Sequence, residues 1–175
     1  MRKQIFVCAC LMVFLSAPLN ILAQQDGLSI GYGFGTFNND MRGVQIRDGN
    51  YDYGQMTFFH ERRLFKRVNW TIEPFVSYIN RPTEGVDGGV SIFAKAYVDE
   101  KKKHGLFATA GGGSLYTSMG YSGQGTHLWF ILQGGLGYRW DKYFVEGRFK
   151  HYSNGDTATP NRSLNSSILF VGMYL

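Results

Sequence analysis

The stretch from Lys150 to Leu175 carries the side chains of this chain that are best suited to chemistry. His151 and Ser153 stand two positions apart at the end of a predicted strand, and this spacing places both side chains on one face. A serine beside a histidine supplies a nucleophile and a general base, which is the minimum that acyl transfer requires. The pair therefore predicts acyl-transfer chemistry at a strand end.

A turn through Pro160 would bring a final strand back beside the first. A pairing symmetric about Ala158 sets His151 opposite Asn165, and directly opposed residues have Cβ atoms about 4.5–5.5 Å apart. Asn165 could then hydrogen-bond one imidazole nitrogen while Ser153 takes the other, which is the logic of a catalytic triad. A slip of one residue in the register would turn Asn165 to the other face.

Alternation of apolar and polar residues recurs in nearly every segment of the chain and predicts strands rather than helices. The 23 glycines, interleaved with aromatic residues, indicate strands that curve as small barrels need. The strands are predicted over residues 28–35, 51–60, 68–78, 90–98, 106–116, 128–138, 143–153 and 163–175. Their lengths suit strands that cross a bilayer in about 9–11 residues. We predict an all-β fold, an eight-stranded antiparallel up-and-down transmembrane β-barrel with both ends on the periplasmic side.

A soluble barrel of the lipocalin type is the competing fold, and it would turn the apolar residues inward. The strand that runs to the last residue and the aromatic residues near strand ends favour the membrane version. Trp70, Trp129 and Trp140 are expected at the membrane interfaces, where tryptophan is enriched. Pro74 predicts a bulge or a local break in the third strand.

The strand that carries His151 also indicates which face meets lipid. Glu146, Arg148 and Lys150 share the opposite parity from His151 and Ser153. A charge on the lipid side costs about 2–4 kcal/mol at the middle of a bilayer, so these three charges are expected in a polar lumen. His151 and Ser153 are then expected on the lipid-facing surface, at the outer end of the barrel.

The first residues predict a secretory signal peptide. Arg2 and Lys3 precede an apolar run that ends at Ala23, and we expect cleavage there, with a barrel domain over residues 24–175. An uncleaved anchor helix is the alternative, although Pro18 interrupts a run that is already short for spanning. Cys8 and Cys10 are the only cysteines and both lie in this leader, so no disulfide or thiolate chemistry is expected in the mature chain.

Composition also argues against several classes of partner. Residues 1–23 hold two of the 18 basic residues and none of the 13 acidic ones, so the remaining chain has a formal net charge of +3, which is too mild to predict nucleic-acid binding. Gly31, Gly33 and Gly35 form a strand row with no helix after it, so they do not predict a phosphate loop. The four histidines show no ligand spacing, and neither a metal nor another cofactor is expected; they are His60, His104, His127 and His151.

The pattern His151-Tyr152-Ser153-Asn154, followed by Pro160-Asn161 and by Asn165 before a terminal strand, resembles the outer-membrane lipid A 3-O-deacylase family. This family is also described as acyloxyacyl hydrolase-like. The resemblance implies an eight-stranded barrel in the outer membrane of a Gram-negative bacterium. Its implied activity is removal of the 3-linked acyl chain from lipid A of lipopolysaccharide in the outer leaflet, with a homodimer as a candidate assembly.

The resemblance also implies roles for individual residues. Ser153 would be the nucleophile and His151 the base, and the hydroxyacyl chain would pass to Ser153 before water releases it. The third member in the family is a glutamate, and this chain has Asn165 at that position. A neutral amide can orient an imidazole, but it cannot offset the charge that develops on it. Asp156 is a nearby carboxylate that could substitute.

The oxyanion of such a reaction needs hydrogen-bond donors. The candidates are Asn154, Asn161 and the backbone N–H of Gly155. Two alternative functions stay open at this point. One is a non-catalytic small barrel with a structural or adhesion role, which Asn165 favours. The other is a lipid A acyltransferase, which would need a pocket for an acyl acceptor.

Overall fold

The computed structural model of the protein describes residues 25–37, 51–101, 104–121 and 123–175. The predicted signal peptide, residues 1–23, and most of the first long connection lie outside the described residues. Within the described ranges, no helix is long and apolar enough to cross a membrane.

Eight antiparallel strands close into one barrel, as the alternation predicted. The strands are β1 (Gln25–Gly35), β2 (Asp52–Arg63), β3 (Val68–Arg81), β4 (Gly85–Tyr97), β5 (His104–Thr117), β6 (Leu128–Trp140), β7 (Tyr143–Ser153) and β8 (Leu164–Tyr174). Each strand pairs with its neighbours along the chain, and β8 pairs with β1 to close the sheet. Closure leaves no sheet edge unpaired, which a strand structure in lipid requires.

The outer surface of the barrel is an apolar band. On β1, Leu28, Ile30, Tyr32 and Phe34 all point outward and are exposed, and large apolar side chains are exposed at alternate positions on the other strands as well. A soluble barrel would bury these residues. The apolar exterior is the arrangement that lipid requires, so the lipocalin-type alternative is wrong.

The lumen is packed with buried charged groups that neutralise one another. Arg148 donates through Nη1 and Nη2 to both carboxylate oxygens of Glu73, at 2.6 and 2.9 Å, and through Nε to Glu146 at 2.7 Å. Lys95 lies 3.7 Å from a carboxylate oxygen of Glu61. Buried charges are tolerated when they are paired and hydrogen-bonded. The charged face of β7 therefore lies in the lumen, as predicted.

Aromatic rings fill the remainder of the lumen, and glycines on the inner face make room for them. A Cβ added at Gly31 would collide with the ring of Phe170, and one added at Gly33 would collide with the ring of Tyr53. Both rings are almost completely buried. The glycine-rich composition thus permits bulky side chains to cross a narrow barrel.

One expectation needs correction, and one is confirmed in part. Trp129 is not at an interface: it is buried, its Nε1 donates to the carbonyl of Thr126 at 2.9 Å, and its ring packs 4.7 Å from that of Tyr121. The reason is parity, because Trp129 alternates with the outward-pointing Leu128. Pro74 carries no bulge, but the predicted local break is present: Phe58 and Phe59 have no Cα partners on β3, where the register would set them opposite Pro74 and Glu73. Proline has no N–H to donate to the ladder, which explains the interruption. The one register shift between β2 and β3 lies at Asp52.

Candidate functional site

The hairpin of β7 and β8 has the register that the sequence predicted. Lys150 pairs with Ser166, His151 with Asn165, and Tyr152 with Leu164. The antiparallel alternation then places His151 and Asn165 side by side on the same face of the sheet. The assumed symmetry of the hairpin is confirmed.

Inward-pointing neighbours fix the orientation of the strand end that carries this pair. Tyr152 is buried, and its hydroxyl lies 3.2 Å from that of Tyr53. Lys150 is also buried and donates to Oε1 of Gln55 at 2.6 Å. Because both residues point into the lumen, His151, which lies between them, points outward and is only half-buried.

The imidazole of His151 is held by the amide of Asn165. Nδ1 of His151 lies 2.8 Å from Oδ1 of Asn165. An amide oxygen can only accept, so Nδ1 carries a proton, and in the neutral imidazole the lone pair is then on Nε2. This tautomer is the one that a general base needs.

Ser153 lies on the same face as His151, one position closer to the outer end on that face. It is half-buried and pairs across the sheet with Phe130 of β6. Both residues of the His151–Ser153 pair are described, and no hydrogen bond joins their side chains. Catalytic hydrogen bonds are often long in the absence of substrate and tighten in the complex.

The end of β1 supports the opposite side of Asn165. The backbone N–H of Thr36 donates to the carbonyl of Asn165 at 3.1 Å, and Oγ1 of Thr36 lies 3.2 Å from Oγ of Ser167. Asn165 is buried at 8% exposure, whereas most outward-pointing residues of β8 are exposed. The strand closure that joins β8 to β1 therefore shields the amide that orients His151.

Asn154 ties the loops together at the outer end of the barrel. Its side chain is completely buried, and Nδ2 donates to the carbonyls of Gln124, Ala158 and Pro160 at 2.8, 2.8 and 3.0 Å. Its backbone N–H donates to Oδ1 of Asn161 at 2.9 Å. Because these donors are occupied, Asn154 holds loop geometry and has no donor to offer an oxyanion.

The other two oxyanion candidates, Asn161 and Gly155, keep hydrogen-bond donors that are not occupied within the described loop. Oδ1 of Asn161 accepts from Asn154, so its Nδ2 points the other way and donates to Asp156 at 2.8 Å, with a second amide hydrogen left over. Gly155 has a φ of +61° and lies exposed beside the ring of Phe130. Asp156 thus orients Asn161 rather than His151.

One outward-facing position of β6 near the site lacks a side chain, and we refer to this gap in the apolar outer surface as the trough. Its floor is Gly134 of β6, which pairs with Phe149 directly below His151 on the outward face of β7. A Cβ at Gly134 would meet only the carbonyl of Thr109, at 3.5 Å. Leu132 and Leu136 rise on either side of it and are 66% and 71% exposed. The trough is therefore one side chain deep and is bordered by apolar residues.

The structure also brings to the site residues that the sequence did not indicate. Gln124, from the loop between β5 and β6, and Thr36, at the end of β1, both contact the residues that surround the histidine and serine. Nothing in their local sequence distinguishes them from other polar loop residues. Thr36 and its partner Asn165 are more than a hundred residues apart in the sequence, so only the closed barrel brings them together.

Comparisons with known proteins bear on the same region. The family model described as "Lipid A 3-O-deacylase (PagL)" matches residues 49–174. A crystal structure of the outer membrane enzyme PagL is similar, with a TM-score of 0.55 and 17% identity, over 86% of this chain and 99% of that chain. The N-terminal β-barrel domain of Pseudomonas aeruginosa OprF is similar with a TM-score of 0.52 and 12% identity, over 87% of this chain and 100% of that one. A comparison with curated protein sequences found no match.

Proposed function

The chain belongs to the lipid A 3-O-deacylase (PagL) family, and we propose that it removes the 3-linked acyl chain of lipid A by a serine–histidine mechanism. The chain is thus an outer-membrane ester hydrolase that acts on lipid A. The proposed residues are Ser153 as nucleophile, His151 as general base and Asn165 as the group that orients the imidazole. The homodimer remains a prediction.

In the first step, Oγ of Ser153 attacks the carbonyl carbon of the 3-linked ester while Nε2 of His151 takes the hydroxyl proton. The tetrahedral intermediate collapses, and the imidazolium returns the proton to the departing sugar hydroxyl. The hydroxyacyl chain is now an ester of Ser153. Water, deprotonated by His151, then attacks this ester and releases the 3-hydroxy fatty acid with regeneration of the serine.

The observation that carries the proposal is the 2.8 Å contact between Nδ1 of His151 and Oδ1 of Asn165. It leaves the lone pair of the neutral imidazole on Nε2, the nitrogen available to Ser153. An amide in place of a carboxylate orients the ring without stabilising the imidazolium that forms. The mechanism therefore predicts a deacylase that is active but slower than one with a carboxylate here.

The oxyanion is proposed to bind the free amide hydrogen of Asn161 and the backbone N–H of Gly155. Asn161 is held at both ends of its amide, by Asn154 and by Asp156. Such preorganised donors lose little freedom when charge develops in the transition state. Asn154, with its donors occupied, is proposed to hold the loop rather than to bind the oxyanion.

The acyl chain is proposed to lie in the trough over Gly134. The trough adjoins Phe149, which lies two positions from His151 on the same outward face, and it is open to the bilayer, so a chain could enter it sideways without leaving lipid. Because the chain passes from lipid to an apolar surface, it gains packing contacts rather than hydrophobic transfer energy. An active site on the barrel exterior thus suits a substrate that is itself part of the outer leaflet.

Deacylation of lipid A by the purified protein in detergent tests the proposal. The wild-type protein should release a 3-hydroxy fatty acid, and Ser153→Ala and His151→Ala should each lower the rate by about 10³-fold or more. Ser163→Ala, a serine just outside β8, is the matched control and should keep the activity. Heat-dependent migration on gels confirms that each variant retains the barrel. Activity in a folded Ser153→Ala protein would overturn the mechanism.

A further inference from the structure

We propose that Gln124, in the loop between β5 and β6, is a positioning residue for deacylation. This inference rests on the proposed function. Gln124 belongs to a different hairpin from every proposed catalytic group, yet its side chain is only 2% exposed. Its contacts fix the loop between β7 and β8, which carries Asn161 and begins directly after Ser153.

Two hydrogen bonds of Gln124 reach that loop. Its carbonyl accepts from Nδ2 of Asn154 at 2.8 Å, and its Nε2 donates to the carbonyl of Arg162. Asn154 directly follows Ser153 in the chain, and Arg162 directly follows Asn161. Each bond therefore holds the immediate neighbour of a proposed nucleophile or oxyanion donor.

A third contact completes the connection between the two loops. The backbone N–H of Arg162 donates to the carbonyl of Gly123 at 2.7 Å. Because the side chain of Gln124 donates to the carbonyl of Arg162, the loop between β5 and β6 binds both the backbone N–H and the backbone carbonyl of Arg162. The segment that presents Asn161 is thereby fixed from outside its own hairpin.

The loop that carries Gln124 is itself anchored to the barrel. Tyr121 is buried with its ring 4.7 Å from that of Trp129, and the backbone N–H of Gln124 donates to the carbonyl of Tyr121 at 3.0 Å. Trp129 is only 1% exposed and packs against Tyr152, the residue between His151 and Ser153. The chain of contacts thus runs from the rigid lumen through Gln124 back to the site.

The consequence for catalysis follows from geometry. An oxyanion donor and a nucleophile must both be placed to within a fraction of an ångström, and a displacement of 1 Å can cost about 10²-fold in rate. Without the Gln124 amide, the loop keeps its other bonds but loses the one at Arg162. Asn161, the neighbour of Arg162, should then sample incorrect positions while lipid A still binds to the barrel surface.

The test compares Gln124→Met with Gln133→Met. Methionine keeps the length of the side chain and removes its amide. Gln133 is a matched control because it is also a buried glutamine, on β6, and its amide has no hydrogen-bond partner in the described part of the chain. In lipid A deacylation, Gln124→Met should lower kcat about tenfold or more with little change in KM, and Gln133→Met should leave kcat unchanged.

A disulfide provides the second measurement. A Cβ added at Gly123 would lie 3.3 Å from the Cβ of Arg162, and disulfides join Cβ atoms about 3.5–4.5 Å apart. The pair Gly123→Cys and Arg162→Cys would therefore link the two loops covalently with a small adjustment. Introduced into Gln124→Met, the oxidised link should restore kcat, and reduction with dithiothreitol should remove the gain.

Each outcome decides the matter. A wild-type kcat in Gln124→Met, an equal loss in Gln133→Met, or no recovery in the oxidised link would overturn the positioning role. The disulfide between positions 123 and 162 should leave kcat unchanged in the protein that keeps Gln124. A loss of activity there would also count against the positioning role, because the contact between the two loops would then oppose catalysis. If the wild-type protein releases no fatty acid at all, the proposed function fails instead, so the two failures are distinct.

Discussion

Nδ1 of His151 and Oδ1 of Asn165 face each other across the β7–β8 ladder at 2.8 Å, at the outer end of the barrel. His151 is the proposed general base, and Asn165 stands where a catalytic triad usually has a carboxylate. Because the amide oxygen accepts the Nδ1 proton, orientation and tautomer are secured without a carboxylate. What the amide does not supply is stabilisation of the imidazolium.

Replacement of Asn165 separates these two contributions. Asn165→Asp has the same shape and adds a charge, and charge-assisted hydrogen bonds are about twice as strong as neutral ones. We expect kcat for lipid A deacylation to rise about tenfold in Asn165→Asp and to fall at least tenfold in Asn165→Ala. Release of the 3-hydroxy fatty acid at saturating substrate measures both. Equal rates for Asn and Asp at this position would show that the imidazolium charge does not limit the reaction.

Asn161 should affect the chemical step and not binding. Removal of one oxyanion donor typically costs about 10²–10³ in kcat, and we expect a loss of this size in Asn161→Ala with an unchanged KM. Asp156→Ala is the comparison, because Asp156 only accepts from Nδ2 of Asn161. It should lose less than about tenfold. A rise in KM without a fall in kcat for Asn161→Ala would assign this residue to substrate binding.

Gly134 should control access of the acyl chain. A leucine at this position fits the backbone, since an added Cβ would meet only the carbonyl of Thr109, and its side chain would fill the trough between Leu132 and Leu136. We expect Gly134→Leu to lower kcat/KM for lipid A about tenfold or more, while a short-chain ester is still hydrolysed. Rates measured with both substrates make the distinction.

Gly54→Leu is the control for that experiment. Gly54 also points outward, and an added Cβ there would have no neighbour within 4 Å, but it lies on β2, away from the trough. It should leave both rates unchanged. Equal losses in the two glycine variants would mean that the trough holds no acyl chain.

Removal of one partner from a buried ion pair of the lumen should destabilise the barrel. Glu73→Gln leaves Arg148 with one carboxylate partner in a fully buried position, and breaking a buried pair typically costs about 3–5 kcal/mol. Guanidinium-induced unfolding in detergent, followed by tryptophan fluorescence, measures the loss. Glu100→Gln removes an exposed partner of Lys66 and Arg67 instead and should leave the unfolding midpoint unchanged. A midpoint for Glu73→Gln equal to wild type would show that water replaces the lost carboxylate.

The sequence by itself determined the barrel and the hairpin that carries the site. Strand side chains alternate with a period of two, so the charges of Glu146, Arg148 and Lys150 were enough to assign the faces of β7. The pairing of His151 with Asn165 also followed from local symmetry, because two adjacent strands joined by one turn have few registers to choose from. The same parity rule, applied to β6, would have placed Trp129 in the lumen.

The tertiary structure alone decided what surrounds this hairpin. The role of Asn154 depends on the carbonyl of Gln124, 30 residues away, and the lumen depends on a pair of residues, Glu73 and Arg148, that are 75 residues apart. Such contacts follow from the way the closed sheet brings distant strands and loops together around a shared lumen. The alternation of side chains shows which residues of a strand point inward, but it does not show which inward-pointing residues of distant strands meet. A contact across the barrel therefore cannot be predicted from the local sequence.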